Sequence, residues 1–304
     1  MIIMKLYDII KDVAKTSLPD MEISDVTSDT RKAVKAGSMF VCIKGKTFDG
    51  HDAAKDMIEK GCTVVVCERD LGLDYNCTAL CQIIVENTRE AFPLLCAAFF
   101  GHPEKELTLI GVTGTNGKTT ITTVIKKVLS SFGCKVGLIG TCQNEIGDDV
   151  YPTARTTPEP YDLYELFRKM ADEKCDYVVM EASSQGLEQK RLSGCHYKVG
   201  VFTNLTQDHL DYHGTMEAYC DAKSRLFDQC DIACVNGDDA WTERLLARFT
   251  GERITFGQGM TNDLVGWRAR YENDCVRFTA CTDLDHEETR IGIPGGFSLY
   301  NALA

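Results

Sequence analysis

The stretch Leu107-Thr108-Leu109-Ile110-Gly111-Val112-Thr113-Gly114-Thr115-Asn116-Gly117-Lys118-Thr119-Thr120 decides the fold of this chain. Leu107–Val112 is a short apolar run of the kind that forms a buried strand. It feeds directly into a loop containing Gly114 and Gly117. After the loop, Ile121, Val124, Ile125, Val128, Leu129 and Phe132 recur at three- and four-residue steps, the spacing of one apolar helix face, closed by Gly133. Strand, glycine loop and helix in this order make a phosphate cradle. Glycine lets the backbone N–H groups converge on an anion, and the helix adds its positive end. Lys118 is placed to reach β- and γ-phosphates, and the Thr119 hydroxyl to join the shell of a Mg²⁺. One departure stands out. The usual G-x-x-x-x-G-K-T spacing puts its first glycine where this chain has Val112, and Gly111 comes one residue early.

Outward from the loop, further strands are expected at Lys135–Ile139, Tyr177–Met180, Val199–Thr203 and Ile232–Val235. Helices at Tyr161–Glu173, Met216–Leu226 and Ala240–Phe249 separate most of them. Such alternation implies a mainly parallel sheet flanked by helices. Upstream, Ser38–Ile43, Cys62–Cys67 and Gln82–Val85 read as buried strands, with helices at His51–Lys60 and, despite Pro93, Thr88–Phe100. Gly101-His102-Pro103 ends the last of these. The reading is α/β throughout: a small N-terminal α/β domain over residues 1–103, then a P-loop-type central domain over 104–304. The final Gly295–Ala304 looks like a loop entering a helix cut after one turn, so the chain is read as a fragment.

Composition narrows the function. The formal net charge of −12 argues against nucleic acid and anionic membrane as partners, since both call for a basic surface. An anionic small ligand in a local amide pocket remains compatible with it. The apolar stretch at Ala91–Phe100 is about half the length of a membrane span. Fifteen cysteines are scattered without a C-x-x-C pair, the nearest approaches being Cys77/Cys81 and Cys230/Cys234. With no signal peptide, this points to reduced thiols in a cytoplasmic protein and to no zinc site. A guanine-reading Asn-Lys-x-Asp is missing, which argues against a regulatory GTPase. Glu181 and His209 follow the ends of later strands, where open α/β sheets place their sites. On spacing alone, Glu181 fits a metal ligand and a solvated loop acid equally. His209 fits a ligand and a helix-capping neighbour of Asp208 equally.

Several motifs together resemble the Mur ligases, ATP-dependent amide-bond formers. They are Thr113–Thr120, Glu181-Ala182-Ser183-Ser184-Gln185-Gly186-Leu187, Asn204–Gly214 and Ala222-Lys223-x-x-Leu226-Phe227. Ser28-Asp29-Thr30-Arg31, Gly37–Val41 and Asp49-Gly50-His51 resemble the uridine-binding first domain. With His209-Leu210-Asp211-Tyr212-His213-Gly214 they point to the UDP-N-acetylmuramoyl-tripeptide synthetase branch.

The resemblance implies an ATP-dependent ligase adding meso-diaminopimelate or L-lysine to UDP-N-acetylmuramoyl-L-alanyl-D-glutamate through an acyl phosphate. It implies that Gly114, Thr115, Asn116, Gly117, Lys118, Thr119, Thr120 and Asn301 hold ATP. Ser28, Thr30 and Lys46 would contact the uridine end. Thr156, Thr157, Ser183, Gln189 and Arg191 would hold the muramoyl peptide. Glu181 would join Thr119 on one Mg²⁺, and His209 and Lys223 would serve a second, with Lys223 carbamylated; Lys118, Lys223, His209 and Glu181 would be the catalytic set. It also implies a monomer and a third domain that binds the added amino acid and is absent here, so that the 304-residue chain would turn over little. Gln185 and Ser298 depart from the family pattern, where many relatives carry His and Asn. Arg155, before the threonine pair, fits an anionic substrate and a solvated loop equally. Two other readings remain: a different amide ligase, such as another Mur step or a folylpolyglutamate synthase, and a non-catalytic nucleotide-binding module.

Overall fold

The computed structural model describes residues 2–14, 20–73 and 80–304. Cys77, one of the paired cysteines considered above, lies outside them. The chain divides into two compact units. The first comprises residues 1–106, 158–169 and 189–194; the second comprises 107–157, 170–188 and 195–304.

In the first unit a four-stranded parallel sheet runs in chain order through Asp25–Thr27, Ser38–Val41, Cys62–Cys67 and Cys81–Ile84. Three of its strands match the apolar stretches read at 38–43, 62–67 and 82–85, whereas Asp25–Thr27, with Val26 its one apolar residue, was not expected; Phe40, Met57, Val65 and Cys67 lie in the core. The expected helix at 51–60 begins as a 3-10 turn at Gly50–Ala53, with Asp49 capping His51 N, and becomes α-helical over Ala54–Glu59. Pro93 sits inside the helix Thr88–Phe99, whose N-terminus is capped by Asn87.

The second unit is built on an eleven-stranded sheet. Its spatial order is Asp149–Tyr151, Asn144–Ile146, Val136–Ile139, Tyr177–Glu181, Thr108–Thr113, Tyr197–Phe202, Cys230–Asn236, Glu252–Gly257, Leu264–Tyr271, Val276–Cys281 and His286–Ile291. The stretch from Val136–Ile139 to Leu264–Tyr271 is parallel, and both ends are antiparallel. The antiparallel strands went unread because polar residues interrupt or outnumber their apolar ones.

Three helix expectations are corrected. Along Lys118–Ser131, Ile121, Ile125 and Leu129 meet the core, whereas Val124, Val128 and Phe132 are exposed, Phe132 by 81 %. One sheet covers only one stripe of the helix, and the i+4 series from Ile121 takes it. The expected helix at 240–249 contracts to Thr242–Leu245. The C-terminal segment forms an eight-residue helix, Gly296–Leu303, where one turn was expected. It buries Leu299 and Leu303 against Phe256, Val276 and Phe278. No helix among the described residues is long and apolar enough to cross a membrane.

Candidate active site

The glycine loop is folded by its backbone and held by the neighbouring strand end. Gly114 has φ 146° and Gly117 φ 91°, both in the region that favours glycine. A Cβ on Gly114 would collide with Thr203 Oγ1, and one on Gly117 with Asn301 Oδ1. Thr203 Oγ1 donates to Asn116 O at 2.6 Å, and Asn204 Nδ2 donates to the same oxygen at 3.1 Å. Asn116 N donates to Asn204 Oδ1 at 3.1 Å, and Thr115 N to Asn204 O at 2.8 Å. The loop is therefore clamped on one side by the segment after the strand Tyr197–Phe202.

Glu181 closes the other side. It ends its strand with 1 % of its surface exposed. Its Oε1 accepts from Thr119 Oγ1 and from Thr141 N, each at 2.9 Å, and its Oε2 accepts from Thr141 Oγ1 at 3.0 Å. A buried carboxylate needs such donors to offset its lost hydration. Thr156 and Thr157 gather beside it. Thr156 Oγ1 lies 3.0 Å from Thr141 Oγ1, and Thr157 Oγ1 donates to Glu181 O while accepting from Ser183 N.

Two lysines converge on one carbonyl. Lys118 Nζ donates to Gly114 O and Thr115 O, each at 2.9 Å, and Lys223 Nζ donates to Gly114 O at 2.8 Å. Lys223 comes from the helix Met216–Ser224 and is buried. Burial pushes its ammonium well below the ordinary lysine value. The charge of Lys118 pushes the same way, and Asp208 opposes both. Burial also lowers Lys118, while Glu181 and Asp208 pull it back.

The ring of Tyr219 lies 4.4 Å from Lys223 Nζ, and its hydroxyl is 3.2 Å from Thr115 Oγ1. His213 stacks on the same ring, with centroids 5.0 Å apart, and its Nε2 is 2.9 Å from Ser184 Oγ. Its Nδ1 lies 3.1 Å from Glu188 Oε2 without forming a hydrogen bond. Burial lowers the His213 pKa, and Glu188 opposes that shift.

Lys118, Thr119, Glu181, Lys223, Thr156, Thr157 and Asn301 thus surround the loop as neighbours or neighbours of neighbours. His209 reaches this group through Tyr219, whose ring it meets edge-on with centroids 6.1 Å apart. It is exposed, caps the helix Leu210–His213 at φ 51°, and its Nε2 lies 3.6 Å from Asp208 Oδ2. The remaining substrate candidates fall in the first unit. Thr30 O accepts from Lys60 Nζ, Lys46 is exposed beside Gly45, and Ser28 adjoins the fork between Asp29 and Arg31. Gln189 Oε1 accepts from the buried Arg191, which also pairs with Glu159 at 3.0 Å. Sequence reading missed Thr141, Tyr219, His213 and the Thr203–Asn204 clamp. Tyr219 was within reach, because it precedes Lys223 by four residues and so shares its helix face.

Family models match most of the chain: the Mur ligase middle domain over residues 112–304, and the Mur ligase family catalytic domain over residues 22–100. The chain belongs to the Mur ligase family. This Mur ligase chain is 41 % identical over 298 residues to a Clostridium botulinum UDP-N-acetylmuramoyl-L-alanyl-D-glutamate–2,6-diaminopimelate ligase, covering 98 % of the chain and 60 % of that relative. It is 40 % identical over 292 residues to the Geobacillus kaustophilus protein of the same name, covering 93 % and 58 %. A solved structure, also of a UDP-N-acetylmuramoyl-L-alanyl-D-glutamate–2,6-diaminopimelate ligase, superposes with a TM-score of 0.84 at 26 % identity, covering 99 % of the chain and 62 % of that structure. The Mur ligase chain therefore spans about three fifths of the length of these relatives.

Proposed function

We propose that this chain carries the nucleotide-binding and sugar-nucleotide-binding parts of an ATP-dependent amide ligase. The reaction would join 2,6-diaminopimelate to UDP-N-acetylmuramoyl-L-alanyl-D-glutamate, in the cytoplasm and as a monomer. The names of the relatives favour diaminopimelate over L-lysine as the added amino acid. The observation that carries the reading is the convergence at one loop: two lysines on Gly114 O and the Thr119 hydroxyl on the buried Glu181. A substrate carboxylate attacking the γ-phosphorus of ATP brings two anions together, and fixed cations and N–H dipoles are what make that approach possible. ADP leaves, an acyl phosphate forms, and the amine of the amino acid then displaces phosphate.

In this reading residues 104–304 bind ATP. The N–H groups of Gly114, Thr115, Asn116, Gly117, Thr119 and Thr120 face the phosphates, Lys118 swings from its carbonyls onto them, and Asn301 meets adenine. Residues 1–103 bind the uridine end through Ser28, Thr30 and Lys46. Thr156, Thr157, Ser183, Gln189 and Arg191 take the muramoyl peptide. The oxygens of Glu181 and Thr119 suit Mg²⁺, which prefers hard oxygen ligands. Magnesium bound there neutralises charge on phosphate oxygens. Lys223 as an ammonium repels a cation, so it suits a second Mg²⁺ beside His209 only as a carbamate. Its burial favours the free amine that adds CO₂, with release of a proton. No protein nucleophile is required, and burial pushes Cys230 up to about 12, keeping that thiol protonated.

Titration calorimetry of the chain tests this reading. UDP-N-acetylmuramoyl-L-alanyl-D-glutamate is expected to bind and folate to give no heat. Folate binding without muramoyl-peptide binding would favour a folylpolyglutamate synthase. Binding of nucleotide with neither acid would favour a non-catalytic module.

A further inference from the structure

The antiparallel end of the large sheet places like charges side by side. Register pairs Arg270 with Arg277, and Arg277 with Arg290, so three guanidiniums form one row across three adjacent strands. Directly opposed residues share a face, and like charges so placed repel. Val276 and Phe278, which flank Arg277 in sequence, are buried with Leu299 and Leu303, so the arginine row occupies the solvent face. A fourth arginine joins it, because the strand bulges between Trp267 and Arg270. Arg268 takes a left-handed φ of 52°, and its guanidinium lies 4.0 Å from the Trp267 ring centroid. Backbone of this kind concentrates at ligand sites.

The four arginines line a concavity of about 250 Å³ whose one acidic lining residue is Glu288. Two of them have exposed partners in the turn between strands: Arg290 pairs with Asp274 at 3.0 Å, and Arg277 lies 3.4 Å from Glu272. Arg270 has no carboxylate partner among the described residues. In a chain of net charge −12, a concavity walled by guanidiniums runs against the general surface.

We infer that this face is a binding site for a small anion carrying two or more phosphate groups. Its dimensions select that class. Neighbouring strands lie about 4.8 Å apart, so the row spans roughly 10 Å. Same-side carboxylates of an extended peptide recur only about every 6.6–6.8 Å and fall out of step with it. A phosphate chain carries charge at every link and meets all three forks, each able to bind it through two parallel hydrogen bonds. The concavity is below the ~300–1,000 Å³ of pockets for drug-sized ligands, which suits a compact anion. Binding would offset the mutual repulsion of Arg270, Arg277 and Arg290. The site uses no residue of the proposed ligase reaction.

Titration calorimetry with tripolyphosphate at low salt tests the inference, using the Lys118→Ala chain so that the glycine loop contributes little. In that chain tripolyphosphate is expected to bind about tenfold or more tighter than inorganic phosphate, and to weaken as salt rises. Adding Arg270→Gln and Arg277→Gln should cost about tenfold or more in affinity while raising the melting temperature at low salt. Should the double substitution fail to fold, Arg277→Gln alone breaks the row at its middle and is expected to cost about threefold. ATP in place of tripolyphosphate separates the sources through the part of its binding that the arginine substitutions remove: a loss equal to that for tripolyphosphate assigns binding to the phosphate chain, and a larger loss adds a contribution from the nucleoside. Unchanged tripolyphosphate affinity after removal of the arginines, or equal affinity for inorganic phosphate, would overturn the inference.

Discussion

The centre and the antiparallel end of the large sheet meet the same burial requirement in different ways. Thr108–Thr113, Tyr177–Glu181 and Tyr197–Phe202 are buried along most of their length, on both faces. Polar chemistry there is confined to the strand ends, where Thr113, Glu181 and Thr203 each find a partner. Val276–Cys281 instead buries Val276 and Phe278 on either side of the exposed Arg277, and His286–Ile291 buries no residue fully and carries charge along most of its length. The centre, then, presents backbone geometry and paired groups, and the end presents side chains standing on a solvated face.

The contrast can be broken most severely at Phe278. Phe278→Ala is expected to cost about 3–5 kcal/mol in denaturant unfolding, while Arg277→Gln, one residue away on the other face, should stay within about 0.5 kcal/mol. Equal costs for the two would remove the distinction between faces.

Gly114→Ala should cost roughly 2–4 kcal/mol, since it adds backbone strain at φ 146° to a collision with Thr203. A melting curve matching the parent would show that the loop tolerates a side chain.

Buried charge should also give the centre a pH dependence. Lys223 is held well below the ordinary 10.5, so the unfolded chain binds its proton more strongly than the folded one. Stability from this group therefore rises with pH through the window below 10.5, by up to about 1.4 kcal/mol per pH unit. Lys223→Met should remove that slope. The difference between parent and variant is the quantity to measure, because Cys62 and Cys42, pushed up to about 11 and about 12, add slopes of opposite sign to both.

Tyr219→Phe removes one hydroxyl contact to Thr115 and should cost about 0.5–1.5 kcal/mol, read as a shift in denaturant midpoint. No shift would mean that the ring alone supports the loop.

Legibility in the sequence follows the same division. The central strands were readable because burial on two faces leaves a mostly apolar run, as in Leu107–Val112 and Tyr177–Met180. The strand Glu252–Gly257 and the antiparallel strands went unread because segments such as His286-Glu287-Glu288-Thr289-Arg290-Ile291, with one apolar residue in six, look like a polar loop. The glycine loop announced itself because few residue types fit its backbone. Thr141 did not, since its contact with Glu181 joins residues forty positions apart and leaves no local pattern. The same limit hid the convergence of Lys118 and Lys223 on Gly114 O, a contact that spans 109 positions for Lys223.

The central claim is that Lys118, now folded back on two carbonyls, is the cation that receives the phosphates of ATP. Equilibrium binding of Mg²⁺–ATP to the chain and to its Lys118→Ala variant tests it directly. The account expects a loss of about tenfold or more, the worth of a charged hydrogen bond. Equal affinity in the two proteins would contradict it.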